Sequence, residues 1–272
     1  GRVSVYEAKQ HNALRRKTLF SPEEQHTIID SNPMMLTASP VASPRIPETS
    51  RFYLLGLRMW SNAGDMIDDQ TFRAGLSDPE LQQQLDLRLL RLFFKDCARR
   101  VAVKGLSVAL PLSSASLAGD RVPGTLISLL DEHRFPASRL LIVLESNIIS
   151  RAEEPIKQAL HQLVDAGCQL ILGQVGGDLD VFNHLSRHLF SYIMLENTLI
   201  QHVHENLMDE MMVTIIQGHA QRLKMQTIGG PVTQAITMDT LSGIGMDLIY
   251  GDSIGQAQPL ELLLNGGYFA IN

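Results

Sequence analysis

From residue 51 onward, short apolar runs alternate with longer segments of mixed polarity. The runs are rich in Val, Ile and Leu and have the length of buried strands. The segments between them repeat apolar residues three and four positions apart, which is typical of helices with one buried face. The predicted strands cover residues 33–37, 51–59, 105–112, 139–144, 169–172, 192–195, 224–228 and 248–250. The predicted helices cover residues 78–100, 123–133, 152–166, 207–223 and 232–242.

This order of elements predicts the α/β class. A strand followed by a helix, repeated about eight times within one domain's length, favours a closed barrel of parallel strands over an open sheet. The chain has 272 residues, which is enough for one such barrel. We therefore predict a (β/α)8 TIM-like barrel, in which functional side chains stand at the carboxyl ends of the strands.

The first 50 residues differ from this repeat. Residues 1–7 alternate apolar and polar positions as a short strand does, and a basic segment follows at residues 15–17. Ser21 and Pro22 predict a helix start, because Ser caps helices and Pro suits their first turn. Four prolines between residues 32 and 50 predict a short strand at 33–37 followed by a flexible loop.

Charge and composition exclude several classes of protein. Lys and Arg number 23 against 29 Asp and Glu, for a formal charge of −6, so the basic surplus of a nucleic-acid binder is missing. Cys97 and Cys168 lie far apart without a paired spacing, which favours a reducing cytoplasmic setting. The apolar runs are shorter than the about 20 residues that span a bilayer. We predict no nucleic-acid partner and no membrane segment within these residues.

Conventional catalytic and metal motifs are weak in this chain. The glycine-rich loop at residues 173–177 lacks the spacing of a dinucleotide or P-loop motif, so it favours a plain turn. In His202-x-His204-Glu205 the histidines are two positions apart and diverge on a helix, which predicts a solvated helix start. Ser113 and Ser114 have no motif-placed His, so a nucleophilic triad is unsupported.

Seven segments resemble, in order and spacing, the strand ends of one family. Residues 32–34, 54–58 and 111–117 stand where the family has Gln-Pro-Ile, Glu-Ala-Leu-x-Arg and Asn-Leu-Ser. Residues 138–146 and 169–179 stand where it has strands ending in Glu-Ile-Thr-Glu-Ser and Asp-Asp-Phe-Gly-Thr-Gly. Residues 192–197 and 245–251 stand where it has Leu-Lys-Ile-Asp-Arg and Gly-x-Asp-x-x-Gln-Gly. Together, residues 32–265 resemble the bacterial EAL domain, a barrel that hydrolyses cyclic di-GMP.

The N-terminal residues carry a second resemblance. Residues 1–7, Gly-Arg-Val-Ser-Val-Tyr-Glu, are similar to the last strand of a GGDEF domain, the diguanylate cyclase module that often precedes an EAL domain. The resemblance implies a GGDEF end and linker helix over residues 1–31 and an EAL-like barrel over 32–272. It also implies a longer parent protein, a cytoplasmic sensory cyclase tethered to the inner membrane by upstream segments.

The resemblance implies that the family's catalytic chemistry is missing here. EAL domains hold divalent metals with carboxylates and an amide, and a Lys helps to position the attacking water. The first metal Glu, the Asn, the next Glu, the paired Asp residues and the Lys fall on Leu54, Pro111, Val143, Gly173, Gln174 and Met194, and a further Glu falls within residues 228–230. We therefore predict no catalytic residue, no metal site and no cofactor.

Arg58 is the family ligand residue that this chain retains, and the resemblance implies a contact with a phosphate of cyclic di-GMP. Alone it predicts weak or absent binding of that dinucleotide. The leading hypothesis is a catalytically silent EAL-like module that contacts the GGDEF domain and protein partners in cyclic di-GMP signalling. The alternatives are a non-hydrolysing cyclic di-GMP receptor and an enzyme that uses Glu145 and Glu196. Active relatives dimerise through the segment that corresponds to residues 178–187, which implies a homodimer.

Overall fold

The computed structural model describes residues 20–150, 154–185 and 189–266. The GGDEF-like strand predicted at residues 1–7 and the basic segment at 15–17 lie outside these residues. The predicted dimer segment, 178–187, lies partly outside them. The helix predicted to begin after Ser21 is confirmed, because Ser21 Oγ accepts a hydrogen bond from Glu24 N at 3.2 Å.

A single ten-stranded sheet forms the centre of the chain. Strand β1 pairs with both β2 and β9, so eight strands close into a barrel, while β3 and β10 extend it outside the ring. The predicted eight-stranded barrel is therefore confirmed. The strands are β1 Met34–Ser43, β2 Ile46–Trp60, β3 Met66–Asp68, β4 Val108–Pro111, β5 Leu140–Glu145, β6 Gln169–Val175, β7 Tyr192–Leu195, β8 Gln226–Gly229, β9 Leu248–Tyr250 and β10 Gln258–Pro259.

The prediction of an all-parallel barrel is wrong for β1, which runs antiparallel to both β2 and β9. Only residues 44 and 45 separate β1 from β2, and so short a connection can join only antiparallel strands. The flexible loop predicted before residue 50 is also wrong, because this hairpin occupies it. Val41 and Ala42 are fully buried there, so packing against neighbouring strands outweighs the local effect of the prolines.

Helices surround the barrel and cover its outer face. The long predicted helix at 78–100 is interrupted at Cys97, where one helix ends and the next begins. No helix in the described ranges is long and apolar enough to cross a membrane. The α-helices are α1 Pro22–Asp30, α2 Asp69–Gly75, α3 Pro79–Asp96, α4 Ala98–Val103, α5 Arg121–Glu132, α6 Asn147–Ser150, α7 Glu154–Asp165, α8 Val181–His184, α9 Asn197–Gln201, α10 Leu207–Leu223, α11 Ala235–Ile244 and α12 Leu260–Leu264; short 3₁₀ turns cover Ser114–Leu117 and Ala137–Arg139.

Two hydrophobic clusters divide the interior. The larger lies between the outer face of the barrel and the helices, and it includes Leu55 and Leu57 of β2 and Phe93 and Phe94 of α3. The smaller fills the barrel with one side chain from each of its eight strands. Because side chains alternate along a strand, both faces of the barrel are apolar. The smaller cluster comprises Val41, Phe52, Ala109, Leu141, Ile171, Tyr192, Ile228 and Leu248.

Candidate functional site

A second layer of side chains lies above the inner cluster, one strand step nearer the carboxyl ends. Leu54, Val143, Met194 and Tyr250 pack directly against the inner cluster from this side. Each stands two residues beyond a member of that cluster, so it faces the same interior. The equivalent positions are Pro111 in β4, Gly173 in β6 and Gly230 just after β8. We call this layer the mouth ring: Leu54, Pro111, Val143, Gly173, Met194, Gly230 and Tyr250.

The glycines of the mouth ring allow its larger members to approach the backbone. A Cβ atom on Gly173 would lie 3.2 Å from Val143 Cγ1. Gly230 has φ +153°, and a Cβ atom there would lie 2.6 Å from Tyr250 Cδ1. The Tyr250 ring thus lies against the Gly230 backbone, and burial raises the pKa of its phenol to about 12. The mouth is therefore lined mainly by partly buried apolar groups, and β1 adds Ser39, which pairs with Leu54.

The mouth ring coincides with the positions that the EAL resemblance assigns to metal and water chemistry. Leu54, Pro111, Val143, Gly173 and Met194 are in that ring, and so is the last residue of the segment 228–230. None of these side chains offers the oxygen ligands that Mg²⁺ or Ca²⁺ requires. The residues present therefore do not fit the family's metal pair.

The two acids proposed as replacements stand at the rim, and each has its own contacts. Glu145 accepts hydrogen bonds from Asn147 Nδ2 at 3.0 Å and from Gln174 Nε2 at 3.4 Å. Glu196 lies against Gly176, where an added Cβ atom would overlap its carboxylate. In the described part of the chain, no three His, Cys, Asp or Glu side chains come close enough to hold a metal ion. The acids are not assembled into a cation cage.

Arg58 lies near the carboxyl end of β2, at the same rim. It is four residues beyond Leu54, so its side chain projects from the same face of the strand. Its Nη2 donates a weak hydrogen bond of 3.5 Å to the carbonyl oxygen of Ala257, in the loop before β10. Across the hairpin its backbone pairs with Asp68 of β3. The guanidinium therefore lies beside the mouth, and its contact with a phosphate stays a prediction.

Sequence reasoning missed a buried polar network below the β4 end of the mouth. Asp86 is fully buried in α3 and accepts hydrogen bonds from Ser113 N and Oγ at 2.7 Å, Ser116 Oγ at 2.6 Å and Arg73 Nη1 at 2.6 Å. Arg73 also pairs with Asp69 at 2.8 Å, although burial raises the pKa of that carboxyl. Ser113 thus supports the loop after β4. The sequence offered one signal of this network, because Asp86 lies on the apolar face of α3.

The predicted helix start at His202 to Glu205 is wrong, because these residues form a turn and α10 begins only at Leu207. The His204 side chain is almost fully buried, not solvated. Its Nδ1 lies 3.0 Å from Thr237 Oγ1, and its Nε2 lies 3.1 Å from Glu205 Oε1. The turn therefore fixes this imidazole against α11.

Helix α10 exposes an apolar stripe, which comprises Leu207, Met208, Met211 and Ile215. These side chains are between 40% and 68% exposed, and they repeat at helical spacing on one face. Contiguous exposed apolar residues are a common mark of a protein contact surface. Methionine suits such surfaces, because its side chain is flexible and polarizable.

Comparison with known proteins places these observations in a family. The family model for the EAL domain matches residues 39–257. The probable diguanylate cyclase DgcE of Escherichia coli K12 is 48% identical over 273 residues, which cover all of this chain and 24% of DgcE. The cyclic di-GMP phosphodiesterase PdeF of the same organism is 24% identical over 87% of this chain and 32% of PdeF. The chain thus spans between a quarter and a third of the length of these relatives.

A solved structure agrees with the fold. The Xanthomonas citri FimX EAL domain, determined in complex with c-diGMP, superposes with a TM-score of 0.76 at 18% sequence identity, covering 98% of this chain and all of the other. At that identity the likeness bears on the fold alone. With the family match over most of its length and a closed barrel of the same architecture, the chain belongs to the EAL domain family.

Proposed function

We propose that this chain is a catalytically inactive EAL domain that serves as a regulatory and protein-interaction module of a diguanylate cyclase in cyclic di-GMP signalling. The mouth ring is the observation that supports this. Hydrolysis of a phosphodiester in this fold requires metal ions to activate water and to offset phosphate charge. The mouth ring has apolar side chains and glycines where those ligands would stand, so the reaction lacks its essential groups.

The similarity to DgcE supports the cyclase context. DgcE is called a probable diguanylate cyclase, and the similar region covers this whole chain. The cyclase activity of the longer protein would then belong to a GGDEF domain that ends within residues 1–31, followed by the EAL domain at 32–272. Segments upstream of that domain would tether the protein to the membrane. The EAL domain itself would act through contact.

The apolar stripe on α10 is the surface that we assign to protein contact. A second copy of the chain is a suitable partner, since α10 is acidic in its first turn at Asp209 and Glu210 and basic at its end at Arg222 and Lys224. Antiparallel pairing of two α10 helices would bury both stripes and place opposite charges together. Residues 178–185 adjoin this helix, because Phe182 stacks on His219 with ring centroids 4.9 Å apart.

Sedimentation of the purified chain tests this surface. Met211→Lys inserts a charge into the stripe and should convert a dimer to a monomer. Met66→Lys introduces the same change at an exposed methionine of β3 and should leave the dimer intact. A parent chain that stays monomeric at high concentration would refute the dimer, and the stripe would then remain available to other protein partners.

The regulatory function is tested in cells at matched expression. Deletion of residues 32–272 from the full protein should change the cyclic di-GMP level or the recovery of partner proteins, whereas Arg58→Ala should change neither. The purified chain should also leave cyclic di-GMP intact with Mg²⁺ or Mn²⁺. If the deletion behaves as the parent on every measurement, the domain has no regulatory role.

The second candidate function is a non-hydrolysing cyclic di-GMP receptor, which the position of Arg58 at the rim favours. Related folds are known with this dinucleotide bound, as in the FimX complex. Calorimetric titration with cyclic di-GMP, with and without Mg²⁺, separates the two functions. Saturable binding that Arg58→Ala weakens would establish the receptor, and Arg45→Ala on the exposed β1–β2 turn serves as the matched control.

A further inference from the structure

The opposite end of the barrel contains a polar cavity of about 310 Å³. Its walls come from the amino-terminal starts of β2, β4, β5, β6 and β7, which are far apart in sequence. This volume is at the lower end of the about 300–1,000 Å³ typical of small-molecule sites. The cavity therefore has room for a small ligand on the face of the barrel remote from the mouth ring.

Two guanidinium groups define the charge of this cavity. Arg51 enters it from β2 and Arg139 from the turn before β5. Arg139 Nη1 donates to the carbonyl oxygen of Gly105, which holds this side chain in place while leaving its other N–H groups available. Within the described residues, no hydrogen bond or ion pair engages Arg51, and no acidic side chain lines the cavity. Its positive charge is thus not neutralised from inside the described chain.

Neutral hydrogen-bonding groups stand between the two arginines. Ser107 and Ser138 contribute hydroxyl groups, and Gln169 contributes its amide. Gln169 Nε2 donates to the carbonyl oxygen of Ser138 at 2.9 Å, and the carbonyl oxygen of Ser107 accepts from Tyr53 N at 3.0 Å. These backbone contacts fix the segments that carry the polar groups. Two guanidinium groups lining one cavity together with serines and an amide are the chemistry that recognises a phosphate group.

Aromatic rings form the floor. Phe52 and Tyr192 line the cavity and belong to the inner cluster of the barrel, with ring centroids 5.6 Å apart in an edge-on arrangement. Because both side chains are almost fully buried, they support the cavity from beneath and leave its accessible surface polar. A long polyanion suits this site poorly, because the cavity is small and the chain carries a formal charge of −6.

We propose that this cavity, lined by Arg51 and Arg139, is a binding site for the phosphate group of a small molecule. The site is independent of the mouth ring and of the apolar stripe on α10. It would give the domain a ligand-responsive site at the end of the barrel where the parallel strands begin. Both free phosphate and a small phosphate monoester have the chemistry that the site recognises.

Calorimetric titration of the purified chain with inorganic phosphate tests the proposal, at constant ionic strength because chloride screens exposed arginines. We expect saturable binding of one phosphate per chain. Arg51→Gln should weaken it about tenfold or more, since hydrogen bonds to charged groups are strong. Arg91→Gln removes an exposed arginine from the outer face of α3 and should leave the affinity within about twofold of the parent.

Phenyl phosphate in a parallel titration distinguishes the two sources of the group. Tighter binding than inorganic phosphate assigns the site to a phosphate monoester. Equal or weaker binding, with inorganic phosphate saturating, assigns it to the free ion. Thermal melting of each variant shows whether it is folded. If neither probe saturates the folded parent, or if Arg51→Gln binds phosphate as the parent does, the site does not exist.

Discussion

The two ends of the barrel carry opposite chemistry. The carboxyl end is lined by the mouth ring, whose members are apolar side chains and glycines, whereas the amino end opens into a polar cavity with two arginines. Barrels of this kind usually place function at the carboxyl end and stability at the amino end. Here the carboxyl end instead extends the apolar interior by one layer, so the same fold forms around a mouth of apolar composition.

This difference has an energetic reason. Clustered carboxylates at a barrel mouth repel one another and need metal ions or hydrogen bonds to offset their desolvation. Leu54, Val143 and Met194 instead continue the inner cluster by one layer and gain contact with it. A mouth of apolar side chains can therefore pack against the core, and the following changes test how far that description holds.

The largest effect is expected at the network that supports the mouth at β4. Asp86→Ala removes four hydrogen bonds to a fully buried carboxylate and leaves the Arg73 charge without this partner. We expect a loss of about 3–5 kcal/mol in the free energy of unfolding, measured by urea denaturation. Asp131→Ala, at an exposed position in α5, should cost less than about 0.5 kcal/mol. Equal losses of unfolding free energy in the Asp86 and Asp131 variants would show that the network adds no stability.

Alkaline titration tests the packing of Tyr250. Its pKa is about 12 in the folded chain and 10.0 for a free phenol, because burial disfavours the phenolate. The neutral phenol contributes its full stability below pH 10, and that contribution is lost as the pH rises to 12. Relative to Tyr250→Phe, the free energy of unfolding should fall by roughly 2–3 kcal/mol across this range. Parallel pH profiles for the two proteins would mean that Tyr250 is solvated.

A new acid in the mouth ring should be poorly tolerated. Leu54→Glu introduces a carboxyl beside the inner cluster, with an expected cost of about 2 kcal/mol at pH 8. The raised pKa of this carboxyl should make the cost smaller at pH 5, where the neutral form predominates. Leu54→Met is the volume-matched control and should cost less than about 1.5 kcal/mol. If added Mg²⁺ restores the stability of Leu54→Glu, the ring still contains the elements of a metal site.

The smallest effect is expected from the rim acids. The double change Glu145→Ala and Glu196→Ala should leave Mn²⁺ binding unchanged, because no third ligand joins these carboxylates in the described chain. Its effect on unfolding should stay within about 0.5 kcal/mol of the parent. Calorimetric titration with Mn²⁺ provides the measurement. A specific Mn²⁺ site that disappears in the double variant would restore the acids as ligands.

Much of the fold could be predicted from local patterns. The strand predicted at 139–144 is observed at Leu140–Glu145, and the helix predicted at 207–223 is observed over those same residues. Such elements have a clear apolar periodicity, which local sequence records directly. The hairpin before residue 50 was missed, because its prolines indicate a loop and only its pairing with β9 and β2 makes it a strand.

The sequence by itself determined the composition of the mouth ring. Strand alternation places Leu54, Val143 and Met194 on one face, and their chemistry is evident from the residue types alone. Tertiary structure decided what depends on contacts between distant segments. The antiparallel closure of β1, the partners of Asp86 and the cavity that Arg51 and Arg139 line each bring together residues that are far apart in the chain. Local propensity does not predict such contacts, because they form only once the barrel has closed.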